Sequence, residues 1–434
     1  MIQLALPLVA AEIGWMAMGV VDTMFVGRIG AIAIGAVSLG TVMFYGVAIV
    51  ASGLLLGLDT LVAQSFGAED HDDVRHSLIN GVWLSLLLIP LVMVAVWAVS
   101  PLLGAIGIDP EVLRETRPYL RALNWSAPPL LIYFGMRRYL QSINIVRPVM
   151  VTLLTANLVN IVCNWLFVFG NLGAPRMGVE GSGWATCVSR VYMAIALAVV
   201  IWRHDPVVAR MPWRPEFGRI RELLRLGFPA AMQIGLEWGV FSTATLLIAR
   251  LGATALAGHQ ITLTTVSMTY MMPLGISSAA AVRVGHALGR GDPEGMARAG
   301  WTALGLGAAM MSCAAICLIV FPHWIARLFT PEADVIAASM LLLRIAAFFQ
   351  LFDGLQVVAT GALRGAGDTR TPMICHFTGY WVIGLPVGVL LCFHYRMGAP
   401  GLWIGLCVGL ITIGIVLVEM WRRKESGVRS QESE

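Results

Sequence analysis

The chain has 434 residues, is 58% hydrophobic and only 12% charged, and carries a net charge of +4 with a mean hydropathy of +0.79. Soluble domains carry about 25% charged residues, so this composition excludes an ordinary cytosolic enzyme, a secreted disulfide scaffold and a disordered chain. What remains is a protein whose solvent is mostly lipid.

Twelve stretches are apolar enough to cross the hydrocarbon, which takes about 20 residues of helix. In chain order they run over about 2–27, 35–63, 77–100, 116–140, 147–170, 178–202, 223–250, 254–284, 298–321, 333–362, 371–394 and 399–421. The first has acids at Glu12 and Asp22 and neither a basic leader nor a small-residue cleavage site, so it reads as a membrane helix and not a cleaved signal. Gly and Pro recur inside the spans, as membrane helices allow. No aqueous domain is expected between them, since the longest polar connection is 203–222. The seven Cys lie in apolar stretches. Cys313 and Cys317 share a helix face without completing a metal set, and packing roles are expected for all seven.

The connections carry the orientation signal. The even-numbered ones and the C-terminal tail hold 19 Arg and Lys, the odd-numbered ones 8. By the positive-inside rule both termini are expected on the cytoplasmic side. No basic cluster is interleaved with exposed aromatics, so nucleic acid is not an expected partner.

Shifted by 222 residues, the chain matches itself: Pro7 falls on Pro229, Thr23 on Thr245, Arg28 on Arg250, Gly53 on Gly275, Gly67 on Gly289 and Asp70 on Asp292. The expected organisation is a six-helix lobe over 1–202, a cytoplasmic linker over 203–222, a second six-helix lobe over 223–421 and a cytoplasmic tail over 422–434. Six is even, so the lobes share one orientation and a pseudo-two-fold along the membrane normal. Two such lobes around a central cleft suit alternating access; a static channel is the alternative.

Ionisable groups in a membrane span are costly and ask for a function. Here they are Glu12 and Asp22 in span 1, Asp59 in span 2, Glu237 in span 7 and Asp353 in span 10, with Arg190 and Arg344 as basic counterparts. In span 5, Asn157, Asn160 and Asn164 follow one another at i, i+3 and i+7 along one helix face. Such a stripe serves as interhelical glue or, beside Asp22 and with the Thr186 hydroxyl of span 6, as oxygen ligands for a hard monovalent cation such as Na⁺. In the second lobe Gln233 and Glu237 stack on span 7, and Gln350, Asp353 and Gln356 straddle one face of span 10. These acids either pair with Arg344 or form a second acidic pocket.

Burial penalises the charged form of a carboxylate, which a proton, a metal cation or an organic cation can each discharge. Competition among them for one carboxylate is antiport. Met and aromatic residues crowd spans 1, 2, 7 and 8, among them Trp15, Met18, Trp238 and Met271. Such side chains re-pack around varied apolar shapes and attract organic cations. Together with Gln233 and Gln350 they are the candidate substrate-cleft residues, with core or lipid-facing filler as the plainer reading.

Pro7 followed by Gly19-Val20-Val21-Asp22-Thr23, Asn160 and Asn164-Trp165, Gly181-Ser182-Gly183-Trp184-Ala185-Thr186, Pro229 followed by Glu237, and Phe349 and Asp353 followed by Gly361-Ala362-Leu363-Arg364-Gly365 and Gly367-Asp368-Thr369 stand in one order along the chain. This ordered set resembles the multidrug and toxic compound extrusion (MATE) family over nearly the whole sequence. The presence of both Glu237 and Asp353 resembles its NorM-type branch more than its DinF-type branch. The resemblance implies an all-α, twelve-helix antiporter of a bacterial inner membrane that exports cationic or amphipathic compounds in exchange for Na⁺ or H⁺. It places Asp22, Asn160, Asn164 and Thr186 at the first-lobe cation site and Glu237 and Asp353 at the second-lobe acids. Some relatives carry Asp where this chain has Asn164, so the first-lobe site has one negative charge fewer for holding Na⁺. Glu12 has no counterpart in the pattern.

Neither a catalytic residue nor a cofactor is expected beyond the coupling ion, and the chain is read as a monomeric transporter and not an enzyme. The alternative within the same superfamily is a lipid-linked saccharide flippase. Its pyrophosphate cargo calls for a basic cleft, whereas the intramembrane acids here outnumber the two Arg.

Overall fold

A computed structural model describes residues 1–101 and 110–432, and among them no strand occurs. Twelve helical rods follow one another: α1 (Ile2–Gly27), α2 (Ala31–Gly67), α3 (His71–Val99), α4 (Pro110–Asn124 and Ala127–Ser142), α5 (Arg147–Phe169), α6 (Val179–His204), α7 (Phe217–Ala249), α8 (Ala253–Gly289), α9 (Pro293–Val320), α10 (Ala333–Gly365), α11 (Arg370–His394) and α12 (Ala399–Glu432). Ten of them are long and apolar enough to cross a membrane. The other two are α4, which is broken and carries Arg114, Arg117, Arg121, Arg137 and Arg138, and α8, which is rich in Ser and Thr. Large apolar side chains such as Leu6, Leu91, Trp97, Leu246 and Phe348 lie exposed on the outside of these helices, as expected of a surface solvated by lipid.

The helices outrun the apolar stretches. α3 starts at His71 and α9 at Pro293, several residues before the hydrophobic runs, because Asp70 and Asp292 cap them: Asp70 Oδ1 accepts from the Asp73 N–H at 3.0 Å and Asp292 Oδ1 from the Gly295 N–H at 2.7 Å. The repeat is thus written in the caps as well as in the spans. Gly30 and Gly252, 222 residues apart, both take positive φ (145° and 109°) directly before α2 and α8. α12 runs on through the polar segment expected as a tail, to Glu432. The break in α4 falls at Trp125 and Ser126, just before Pro128 and Pro129, which have no N–H to continue the ladder.

The chain packs as two units. One comprises Ala10–Phe66 and Asp70–Ala231; the other comprises Met1–Val9, Gly67–Glu69 and Met232–Glu434. The polar connection after α6 belongs to the former. There Arg75 donates to Asp205 at 2.6 Å, Arg219 bonds Asp73 and Ser77, and His76 meets Glu216 at 2.8 Å.

In the other unit α11 and α12 approach closely through glycines. A Cβ on Gly405 would fall 2.1 Å from the Gly388 nitrogen, and one on Gly409 would fall 2.4 Å from the Gly379 oxygen. Small residues let membrane helices pack at such range. Along this contact α11 widens into π-turns at Phe377–Gly384 and Leu390–His394, a form that collects at functional sites.

Candidate functional site

The first-unit site is built from three helices. Asp22 on α1 is buried, 6% exposed. Its Oδ1 accepts from Asn160 Nδ2 at 3.0 Å and Asn164 Nδ2 at 2.8 Å, both on α5, and its Oδ2 accepts from Thr186 Oγ1 of α6 at 2.7 Å. The four residues that the sequence singles out therefore converge on one carboxylate. Three donors replace part of the water that burial removed and oppose the burial cost of the charged form. No guanidinium bridges it among the described residues, so its charge is still open to an incoming cation. The amides meet the carboxylate through N–H. Holding Na⁺ would require Asn160 and Asn164 to turn their oxygens inward, whereas a proton on Asp22 would displace one donor. Asn157, the third member of the stripe, does something else: its amide donates to the Gly14 carbonyl at 2.9 Å and ties α5 to the α1 backbone. The stripe is both glue and site, residue by residue.

The other acids of this unit are engaged. Glu12 bonds Arg137, both almost fully buried, and Asp59 lies 3.4 Å from Arg138. Two adjacent arginines of α4 thus reach carboxylates on α1 and α2. Trp15 stacks on Tyr133 with ring centroids 6.3 Å apart, and Met18 is buried in the core of this unit.

In the second unit, α7, α8, α10 and α11 surround a second polar cluster. Asp353 on α10 is buried and its Oδ1 accepts from Gln356 Nε2 at 3.1 Å. Glu237 of α7 belongs to the same cluster, its charge interacting with that of Asp353. Tyr270 of α8 faces Glu237 at 3.5 Å. Tyr380 of α11 flanks Glu237 with its buried hydroxyl short of hydrogen-bond geometry, and the oxygens of Gln350 and Gln356 are also buried without partners. The cluster holds two carboxyl groups and several oxygens with unused capacity, a donor set that suits a small cation. Arg344 is exposed and makes no ion pair with either acid among the described residues, so the pairing alternative is not realised.

Gln350 donates to Thr269 at 2.7 Å. Gln233 meets His376 of α11 at 3.4 Å, while His376 Nδ1 donates to the Pro372 carbonyl at 2.7 Å. Trp238 is 39% exposed and Met271 is half-buried. Sequence reasoning passed over His376 and Tyr380 as site neighbours. Their spacing of four along α11 was the available signal, placing both on one helix face.

The family model MatE matches residues 7–166 and 229–390. A probable multidrug resistance protein NorM of Mesorhizobium japonicum is 36% identical over 98% of this chain and 93% of its own length. One of Burkholderia mallei is 38% identical over 99% of this chain and 93% of its own. The crystal structure of the eukaryotic MATE transporter AtDTX14 superposes with a TM-score of 0.88 at 23% identity, covering 99% of this chain and 97% of that one. Two matched segments covering most of the chain, near-full-length relatives and a shared fold lead to one assignment: the chain belongs to the MatE family, the multidrug and toxic compound extrusion transporters.

Proposed function

We propose that this protein is a multidrug exporter of a bacterial inner membrane, with both termini cytoplasmic, that exchanges cationic or amphipathic organic compounds for Na⁺ or H⁺ by alternating access. The observation that carries this reading is the contrast among the acids within the spans. Glu12 and Asp59 are bridged by guanidinium groups, whereas Asp22, Glu237 and Asp353 are held by neutral donors. A carboxylate with no guanidinium bonded to it is one that a travelling cation can neutralise. Two such sets, one in each unit, give an ion and a cargo carboxylates to exchange. Each elementary charge that re-enters down a 100 mV potential supplies roughly 2.3 kcal/mol, enough to drive export by a factor of tens.

The test is efflux of an organic-cation dye from proteoliposomes under separately imposed sodium and pH gradients. Asp22→Asn should keep its three neighbours in place and abolish gradient-driven efflux. Wild-type efflux in that variant, or efflux indifferent to both gradients in the wild type, would remove the proposal.

A further inference from the structure

Arg190 is the charge the coupling scheme leaves over. It lies on α6 one turn beyond Thr186, is 1% exposed, and makes no ion pair among the described residues. Neutral groups hold it instead. One terminal nitrogen donates to Tyr45 Oη at 2.7 Å and the other to Ser126 Oγ, and the guanidinium sits over the Phe44 ring at 5.0 Å and the Tyr45 ring at 5.6 Å. Its Nε is buried with no partner.

A buried guanidinium without a carboxylate against it is expensive, and the usual remedy is a direct ion pair. This lobe uses that remedy twice, at Arg137 and Arg138, and withholds it here. The titratable groups shown to interact with Arg190 include Asp22 on α1, Tyr45 on α2, Tyr119 on α4 and Cys187 on its own helix; α5 presents the neutral Asn160 and Asn164 to Asp22. Asp22 is the only carboxylate among them. The two charges therefore interact through space: Thr186, one turn before Arg190 on α6, bonds Asp22, and no ion pair joins the two charges among the described residues.

We propose that Arg190 is a resident cation of the first-lobe ion site, a positioning residue whose fixed charge sets how tightly Asp22 holds the coupling ion. The inference rests on the exchange mechanism proposed above. A direct Arg190–Asp22 bridge would exclude the travelling ion. An Asp22 with no cation nearby would hold the ion too firmly to release it on each cycle. A guanidinium held at one remove by Tyr45, Ser126 and Phe44 weakens ion binding by a set amount and leaves the carboxylate open. The ion and Arg190 together then leave an uncompensated positive charge in the lobe, which repels a cationic cargo while the ion is bound. At an effective dielectric near 20, a unit charge about two helix turns away changes ion affinity by about tenfold.

The experiment uses the full-length protein in proteoliposomes. It measures the Na⁺ concentration, and separately the proton concentration, that half-saturates dye efflux. Arg190→Gln should lower the half-saturating concentration of the driving ion about tenfold and reduce maximal efflux, and Arg190→Lys should stay near the wild type. A structural plug would give the reverse pattern, with efflux lost at unchanged half-saturation; that result overturns the inference. If Arg190→Gln does not fold, Ser126→Asp decides. It places a carboxylate against the intact guanidinium and cancels its field, so it should tighten ion dependence in the same direction; an unchanged or raised half-saturating concentration overturns the inference. A wild type that ignores both gradients would instead refute the exchange mechanism itself, which keeps the two failures apart.

Discussion

Asp22 and Glu12 share one helix and meet opposite fates. Asp22 faces amide and hydroxyl donors, and Glu12 faces the Arg137 guanidinium in a site with almost no solvent. Removing one member of a buried pair leaves the other charge stranded, at a cost of about 3–5 kcal/mol. Glu12→Gln is therefore expected to lower thermal stability sharply, measured by the melting of the purified protein in detergent, while the folded fraction retains gradient-driven efflux. A variant as stable as the wild type would show that the pair contributes nothing to the lobe. In the second lobe, Glu237→Gln and Asp353→Asn should each reduce efflux severalfold in the proteoliposome assay with little loss of folded protein; full activity in both would make that cluster scaffold. The Asn stripe and the lone acids could be read from the sequence because helical spacing places residues on one face. The ion pairs could not, since Glu12 and Arg137 lie 125 residues apart and nothing local records the pairing.

At the scale of elements, all twelve rods coincide with stretches read from the sequence, although α4 and α8 fall short of the other ten in apolar character, and the ends of the rods were not legible. Hydropathy reports the part of a helix that lies in lipid. Caps such as Asp70 and Asp292 carry α3 and α9 beyond it, and α12 continues through Glu432. The π-turns of α11 were also hidden, because their dihedrals differ little from those of an α-helix and no residue type dictates them. What did show was the glycine content of α11 and α12. The structure explains it: there is no space for a Cβ on Gly405 beside Gly388. Gly405→Leu should force α11 from α12 and disturb Tyr380 with it. The expected outcome is a loss of folded protein by size-exclusion profile, larger than for Gly305→Leu, whose added Cβ meets open space. Equal tolerance of the two substitutions would contradict the packing argument.

Across the whole molecule, the duplication was the most informative feature of the sequence. It is repeated in helix starts, caps and positive-φ glycines 222 residues apart. The two halves nonetheless carry different chemistry: one carboxylate among amides in the first unit, two interacting carboxyl groups in the second. Duplication supplied the scaffold, and divergence at a few polar positions supplied two unlike polar clusters. In the proposed mechanism ion and cargo occupy these carboxylates in turn. The most direct measurement is ion release on cargo binding. An organic cation is added to purified protein in weakly buffered solution, or to protein preloaded with ²²Na⁺, and released protons or sodium are counted. The account predicts release of one or the other, reduced in Asp22→Asn and in Glu237→Gln. Saturable binding of the organic cation with no ion released from the wild type would contradict it.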